Sequence, residues 1–165
     1  MNHLCQIVDE DDNIIGHKPR NEIDYTKDYY RIGCLWLKNS KGEVLLAQRL
    51  LSKDKDPGKW GPSAAGTLEE GETYESNIYK EAHEELGLTG VDFTPIAKLK
   101  LEKPRKSFLQ LYAGVCDWSA DKFIPQPEEV EQVAWVDVNE LKKDVEANPD
   151  QYVPSIKILI ESAEN

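Results

Sequence analysis

Three glutamates, Glu81, Glu84 and Glu85, are the residues of this chain whose type and spacing first suggest chemistry. The stretch around them reads as a helix. Thr73 suits the N-cap, Glu75 falls in the first turn, and Gly87 suits a left-handed C-cap. Three- and four-residue spacings bring side chains together, so the three carboxylates share a face beside an apolar stripe of Ile78, Ala82 and Leu86, flanked by Tyr79. Like charges at that spacing cost an isolated helix roughly 0.2–0.5 kcal/mol per pair. A divalent cation reverses that cost, because hard Mg²⁺ takes carboxylate oxygens together with substrate phosphates. Alone, Glu84-Glu85 is more simply a solvated face on a chain that is 31% charged. The joint spacing of the longer stretch is what points to chemistry.

A second group of charges precedes the helix. Arg49, Lys53, Lys55 and Lys59 bring positive charge to an otherwise acidic chain, with Arg49 and Lys53 four apart before Pro57-Gly58-Lys59-Trp60. In isolation such a cluster is a solvated loop. Beside a metal–diphosphate site, cations aimed at phosphate oxygens become the better reading.

The elements that must position these residues follow from patterning. Leu4 to Val8 and Ile14 to Pro19 read as short strands about an acidic turn, and Tyr29 to Leu37 as a longer strand. Asn39-Ser40-Lys41-Gly42 turns into a strand over Glu43 to Leu50, predicting a hairpin. Beyond the helix, Val91 to Leu101, Ser107 to Val115 and Val133 to Val136 read as strands. Asn139 to Ala147 and Pro154 to Glu164 read as helices, the last burying Ile156, Leu159, Ile160 and Ala163. This order predicts an α/β fold with helices on both faces of a mixed sheet, in one domain spanning residues 1–165.

Composition bounds the function. There are 165 residues with a net charge of −11, which argues against nucleic-acid or anionic-membrane partners. No apolar run reaches membrane-spanning length, and the N-terminus lacks the layout of a signal peptide. Cys5, Cys34 and Cys116 have no motif spacing, and Cys34 and Cys116 lie in apolar strand-like runs and read as buried free thiols, so a soluble cytoplasmic protein is expected. A homodimer is left open.

The stretch from Gly66 to Leu88 resembles the Nudix box, G-x5-E-x7-R-E-U-x-E-E-x-G-U with U aliphatic. Gly66, Glu72, Glu81, Glu84, Glu85, Gly87 and Leu88 match it, while Lys80 replaces Arg and Ala82 is small for its position. The resemblance implies a Nudix-type α/β/α sandwich and a Mg²⁺- or Mn²⁺-dependent hydrolase of a small-molecule diphosphate. It assigns Glu84 and Glu85 as metal-binding carboxylates, Glu81 as ligand or base, and the carbonyl of Ala65 as a further ligand. A glutamate before a late Trp strand completes such sites. Here that is Glu129, with Glu128 and Glu131 as rivals. Lys80 keeps the charge of the catalytic Arg but not its planar fork, so activity is expected to persist at a reduced level.

Tyr29 to Trp60 is also similar to isopentenyl diphosphate isomerase, whose Arg and Lys of this spacing hold the substrate diphosphate. That assigns the same role to Arg49 and Lys53. The isomerase's proton-transferring Cys and His ligands are replaced here by Ala65, Thr67, Tyr30 and Ile23, and its later acidic strand by Phe108-Leu109-Gln110-Leu111. The expected function is therefore hydrolysis of a phosphoanhydride bond in a nucleoside diphosphate or a compound linked to one. An isomerase-related activity and a non-catalytic nucleotide-binding module are the alternatives. Trp36, Phe108, Tyr112 and Trp118 are candidates for stacking on a base, though strand aromatics more often fill the core.

Overall fold

A computed structural model describes residues 3–165. The strands are β1 (Leu4–Val8), β2 (Ile14–Pro19), β3 (Tyr29–Lys38), β4 (Glu43–Arg49), β5 (Trp60–Gly61), β6 (Ala64–Thr67), β7 (Thr94–Leu101), β8 (Ser107–Val115) and β9 (Val130–Asp137). The helices are α1 (Tyr74–Leu86), α2 (Val138–Ala147) and α3 (Ile156–Glu164). All strands join one mixed sheet centred on β3, which runs parallel to β8 along one edge. Its other edge is shared in succession by β1, β6 and β4.

Strand alternation divides the core. Cys34 and Trp36 of β3 face α2 and α3, where Leu141, Val145, Leu159 and Ile160 are buried. Leu35 and Leu37 face the opposite way, onto Ile78, Ala82 and Leu86 of α1. The result is the expected α/β/α sandwich.

The expected β3–β4 hairpin is real only at its tip. Lys38 pairs with Val44 across the Asn39–Gly42 turn, and then the strands part. Ser63 enters the gap: its hydroxyl donates to the Leu45 carbonyl (2.7 Å) and accepts from the Leu37 N–H (2.9 Å). β4 continues instead against β9, which is why β9 extends beyond the expected Val133 to Val136. Residues 91–93 lie outside β7; there Phe93 stacks on Tyr79 of α1, with ring centroids 4.6 Å apart. Helix α3 starts two residues later than expected, at Ile156. All three cysteines are buried free thiols. No helix of the described residues is long and apolar enough to cross a membrane.

Candidate active site

The site is built where α1 is pulled onto the sheet. Gly33 of β3 and Gly66 of β6 are paired across the sheet, and neither has a positive φ. Their role is to leave room. A Cβ on Gly33 would lie 2.4 Å from Asn77 Oδ1, and one on Gly66 would lie 2.3 Å from Glu81 Cδ. Asn77 and Glu81 are one helical turn apart, so the two glycines admit the inner edge of α1.

The N-terminal end of the helix is fixed by a capping box. Thr73 Oγ1 accepts from the Ser76 N–H (3.0 Å), and Ser76 Oγ accepts from the Thr73 N–H (2.9 Å). At the other end Gly87 adopts φ 66°, the left-handed conformation expected of a C-cap. The loop entering α1 is equally constrained. Buried Gln6 donates to the carbonyls of Glu69 (2.8 Å) and Glu72 (2.7 Å), while Glu72 Oε1 accepts from the Glu69 N–H (2.6 Å). Lys80 completes this arrangement. Its ammonium lies 2.8 Å from Glu72 Oε2, 3.6 Å from Glu81 and 3.9 Å from Glu69. The residue standing in for arginine thus spends its shortest contact on the carboxylate that closes the loop.

A cavity of about 910 Å³ opens above α1 and β6. Ala65, Lys80, Glu81, Glu84, Glu85 and Glu129 line it on the acidic side, and Arg49 and Lys53 on the basic side. The structure therefore brings these eight residues to one cavity. Glu128 and Glu131 are exposed and do not line it. Lys59, counted among the approaching cations, also lies outside it.

Glu85 is buried. Its Oε1 has a long contact of 3.4 Å to the Ala65 N–H, and its Oε2 has no partner among the described residues. Burial, then the charge of Glu81, holds its pKa well above the usual carboxylate range. Burial also pushes Glu81 up to about 7; Lys80 opposes this, and Glu84 and Glu72 add to it. Among the described residues no three acidic, His or Cys side chains converge as a formed metal-ligand cluster. The chemistry of the donors nevertheless fits a hard divalent cation. A buried carboxylate oxygen of Glu85 lacks a partner, Glu81 and Glu84 line the same cavity, and Lys80 makes its shortest contact with Glu72.

On the opposite side Lys53 lies 2.6 Å from Glu129 Oε2, so a candidate phosphate ligand and a candidate metal ligand neutralise one another. The aromatic candidates for base stacking belong elsewhere. Trp36, Phe108 and Tyr112 are buried in the core, Trp118 packs on Phe123, and none lines the cavity. Of the positions compared with the isomerase, Tyr30, Ala65 and Thr67 line the cavity and Ile23 is core. Gln110 donates to the Ala97 carbonyl at 2.9 Å. Sequence reading passed over Arg20, Arg105 and Gln126, which also line the cavity. They lie in separate loops with no local motif, and only the fold brings them together.

Residues 29–156 match the NUDIX domain. An uncharacterized Nudix hydrolase of Yersinia pestis is 31% identical over 93% of this chain and 81% of its own length. A prenyl-diphosphate phosphatase of Methanosarcina mazei is 31% identical over 91% of this chain and 88% of its own. Isopentenyl-diphosphate Delta-isomerases of several bacteria also match, at 27–29% identity. Among solved structures, DR0079 of Deinococcus radiodurans superposes with a TM-score of 0.87 at 23% identity, covering 98% of this chain and 99% of that one. With a complete acidic helix face where the motif requires it, this chain belongs to the Nudix family and is a pyrophosphohydrolase by that membership.

Proposed function

We propose that this protein uses a divalent cation to hydrolyse the phosphoanhydride bond of a nucleoside diphosphate or of a compound linked to one. The observation that carries the reading is the opposition, within one cavity, of the Glu81, Glu84 and Glu85 carboxylates to the Arg49 and Lys53 cations. Glu84, Glu85 and the Ala65 carbonyl hold the ion together with Glu129, and Glu81 serves as ligand or base. Bound Mg²⁺ or Mn²⁺ supplies neutralisation of phosphate charge and lowers the pKa of water. Arg49 and Lys53 orient the phosphate oxygens, and Lys80 holds the loop through Glu72 while lying beside Glu81. Water adds to phosphorus as it gives up a proton to the base, the P–O–P bond breaks with its electron pair left on the bridging oxygen, and the two phosphate products separate. The partner is a small molecule, neither nucleic acid nor membrane, in keeping with a net charge of −11.

The Methanosarcina relative named a prenyl-diphosphate phosphatase supports a second substrate, a prenyl diphosphate. The cavity favours a polar one. Charged side chains outnumber its apolar ones, which are Cys5, Pro19, Tyr30, Ile32 and Ala65. Release of phosphate should therefore be measured with Mg²⁺ over nucleoside diphosphates, their derivatives and a prenyl diphosphate. The expected result is turnover of a nucleotide, with Glu84→Gln and Glu85→Gln each losing most of it while remaining folded. Full activity in either variant overturns the roles, and turnover of the prenyl compound alone overturns the substrate class. No solvent deuterium should enter isopentenyl diphosphate, because Ala65 and Gln110 cannot transfer a proton.

A further inference from the structure

Three loops that are distant in sequence meet at the basic end of the cavity: the segment after β2, the loop after β4, and the turn between β7 and β8. Tyr25 joins them. The Lys106 N–H donates to its carbonyl (3.2 Å), and the Lys55 ammonium lies 3.4 Å above its ring centroid. Tyr30, which lines the cavity, meets Tyr25 behind it edge to face with centroids 5.2 Å apart. Arg49 Nε donates to the Lys55 carbonyl (2.9 Å), which fixes the loop carrying that lysine.

The charge collected there is unbalanced. Arg20, Arg49, Lys55 and Arg105 all line the cavity, and of these Arg105 alone makes an ion pair among the described residues, with Asp56 at 3.0 Å. The aromatic face beneath Lys55 is a weak neutraliser. Cations crowded together in a concave, half-buried place lower each other's stability unless an anion joins them. Lys55 registers this strain. Burial first, then Arg105, Arg20 and Arg49, lower its pKa to about 8.

We propose that Lys55 and Arg105, beside the Tyr25–Tyr30 pair, form a second anion subsite that takes a phosphate of the substrate other than the two joined by the scissile bond. The proposal rests on the hydrolase reading above and deepens it. Arg49 and Lys53 lie next to the acidic wall and serve the diphosphate. Lys55 and Arg105 lie across the loop and serve a further phosphate, either the third of a chain or a separate monoester on the same nucleotide.

The test compares kcat/KM for ADP, ATP and adenosine 3′-phosphate 5′-diphosphate in the wild type, Lys55→Met and Arg105→Gln. For at least one of the two extra-phosphate compounds, the ratio to ADP should fall about tenfold or more in each variant; which compound responds identifies the source of the phosphate. Arg105→Lys should restore much of the loss if the charge matters, whereas a folding defect would lower all three substrates alike. Ratios unchanged in both variants overturn the subsite. A readout independent of turnover is calorimetry of the metal-free protein with inorganic pyrophosphate and tripolyphosphate. Tighter binding of tripolyphosphate in the wild type, lost in Lys55→Met, supports the subsite even if no nucleotide is hydrolysed, in which case only the functional reading fails. Equal affinity for the two anions, together with unchanged ratios, overturns the subsite while leaving hydrolysis of ADP intact.

Discussion

Gly66→Ala separates the position of a carboxylate from the stability of the fold. Gly66 does not need glycine for its backbone, since its φ is not positive. It needs glycine for space. An added Cβ would lie 2.3 Å from Glu81 Cδ and 2.5 Å from both Glu81 Cγ and Oε1. An ordinary carbon contact is about 3.5 Å, so the Glu81 carboxyl must retreat by about 1 Å. The obstructed atoms run from Cγ to the carboxyl of a flexible side chain, and leaving its preferred rotamer costs about 0.5–1.5 kcal/mol. Replacing glycine by alanine recovers about 0.4–1 kcal/mol through the unfolded chain. The net change in stability is therefore about 1 kcal/mol or less, or roughly 2–4 °C in Tm for a domain of this size. Catalysis is far less tolerant, because a 1 Å misplacement costs on the order of 10²-fold. The expected signature is kcat/KM down about a hundredfold with Tm nearly unchanged. Gly16→Ala is the control, since a Cβ there meets nothing within 4 Å. Activity of Gly66→Ala within about threefold of wild type would refute the claim that Glu81 must occupy this place. So would a collapse in Tm that accounts for the lost activity.

Three further outcomes follow from named contacts. Lys80→Met removes the 2.8 Å pair with Glu72 and is expected to lower kcat/KM about tenfold or more, whereas Lys80→Arg retains activity; equal activity in both would disprove a role for the charge. Ser63→Ala leaves the buried Leu37 N–H and Leu45 carbonyl without their bridge, costing about 1–3 kcal/mol, which thermal denaturation reads as a drop in Tm. Lys55 gives a pH signature. It releases its proton near pH 8 in the folded state against 10.5 for the ordinary group, so the unfolded chain binds more protons in that window and stability rises with pH. The groups that face it, Arg20, Arg49, Arg105, Cys5, Tyr25 and Asp56, are present in both proteins. The unfolding free energy of wild type minus that of Lys55→Met should therefore increase between about pH 8 and 10.5, and a flat difference would contradict the burial of that ammonium.

Local signals explain how much of this could be read from the sequence. The α1 caps, its apolar stripe and its acidic face all repeat at helical spacing, so Thr73, Gly87 and the three glutamates fell where expected. Long, mostly buried strands rich in aromatic and aliphatic residues, such as β3 and β8, were equally legible. The β3–β4 hairpin was over-extended because the wedge at Ser63 is a tertiary event, with its hydroxyl bridging two other strands. β5 and β6, of two and four residues, are too short to show a period. Glu128, Glu129 and Glu131 are alike in sequence, and only β9's path along β4 decides which lines the cavity. Arg20 and Arg105 line one cavity from segments that no local pattern connects.

The central claim is that the acidic face of α1, with Glu85 at its buried end, is a divalent-cation site. Its most direct measurement is Mn²⁺ binding to the purified protein, read by the loss of free-ion electron paramagnetic resonance signal, in wild type, Glu84→Gln and Glu85→Gln. Saturable binding by the wild type, displaced by Mg²⁺ and weakened at least about tenfold in each variant, is the predicted result. Wild-type binding that both substitutions leave unchanged would contradict the account.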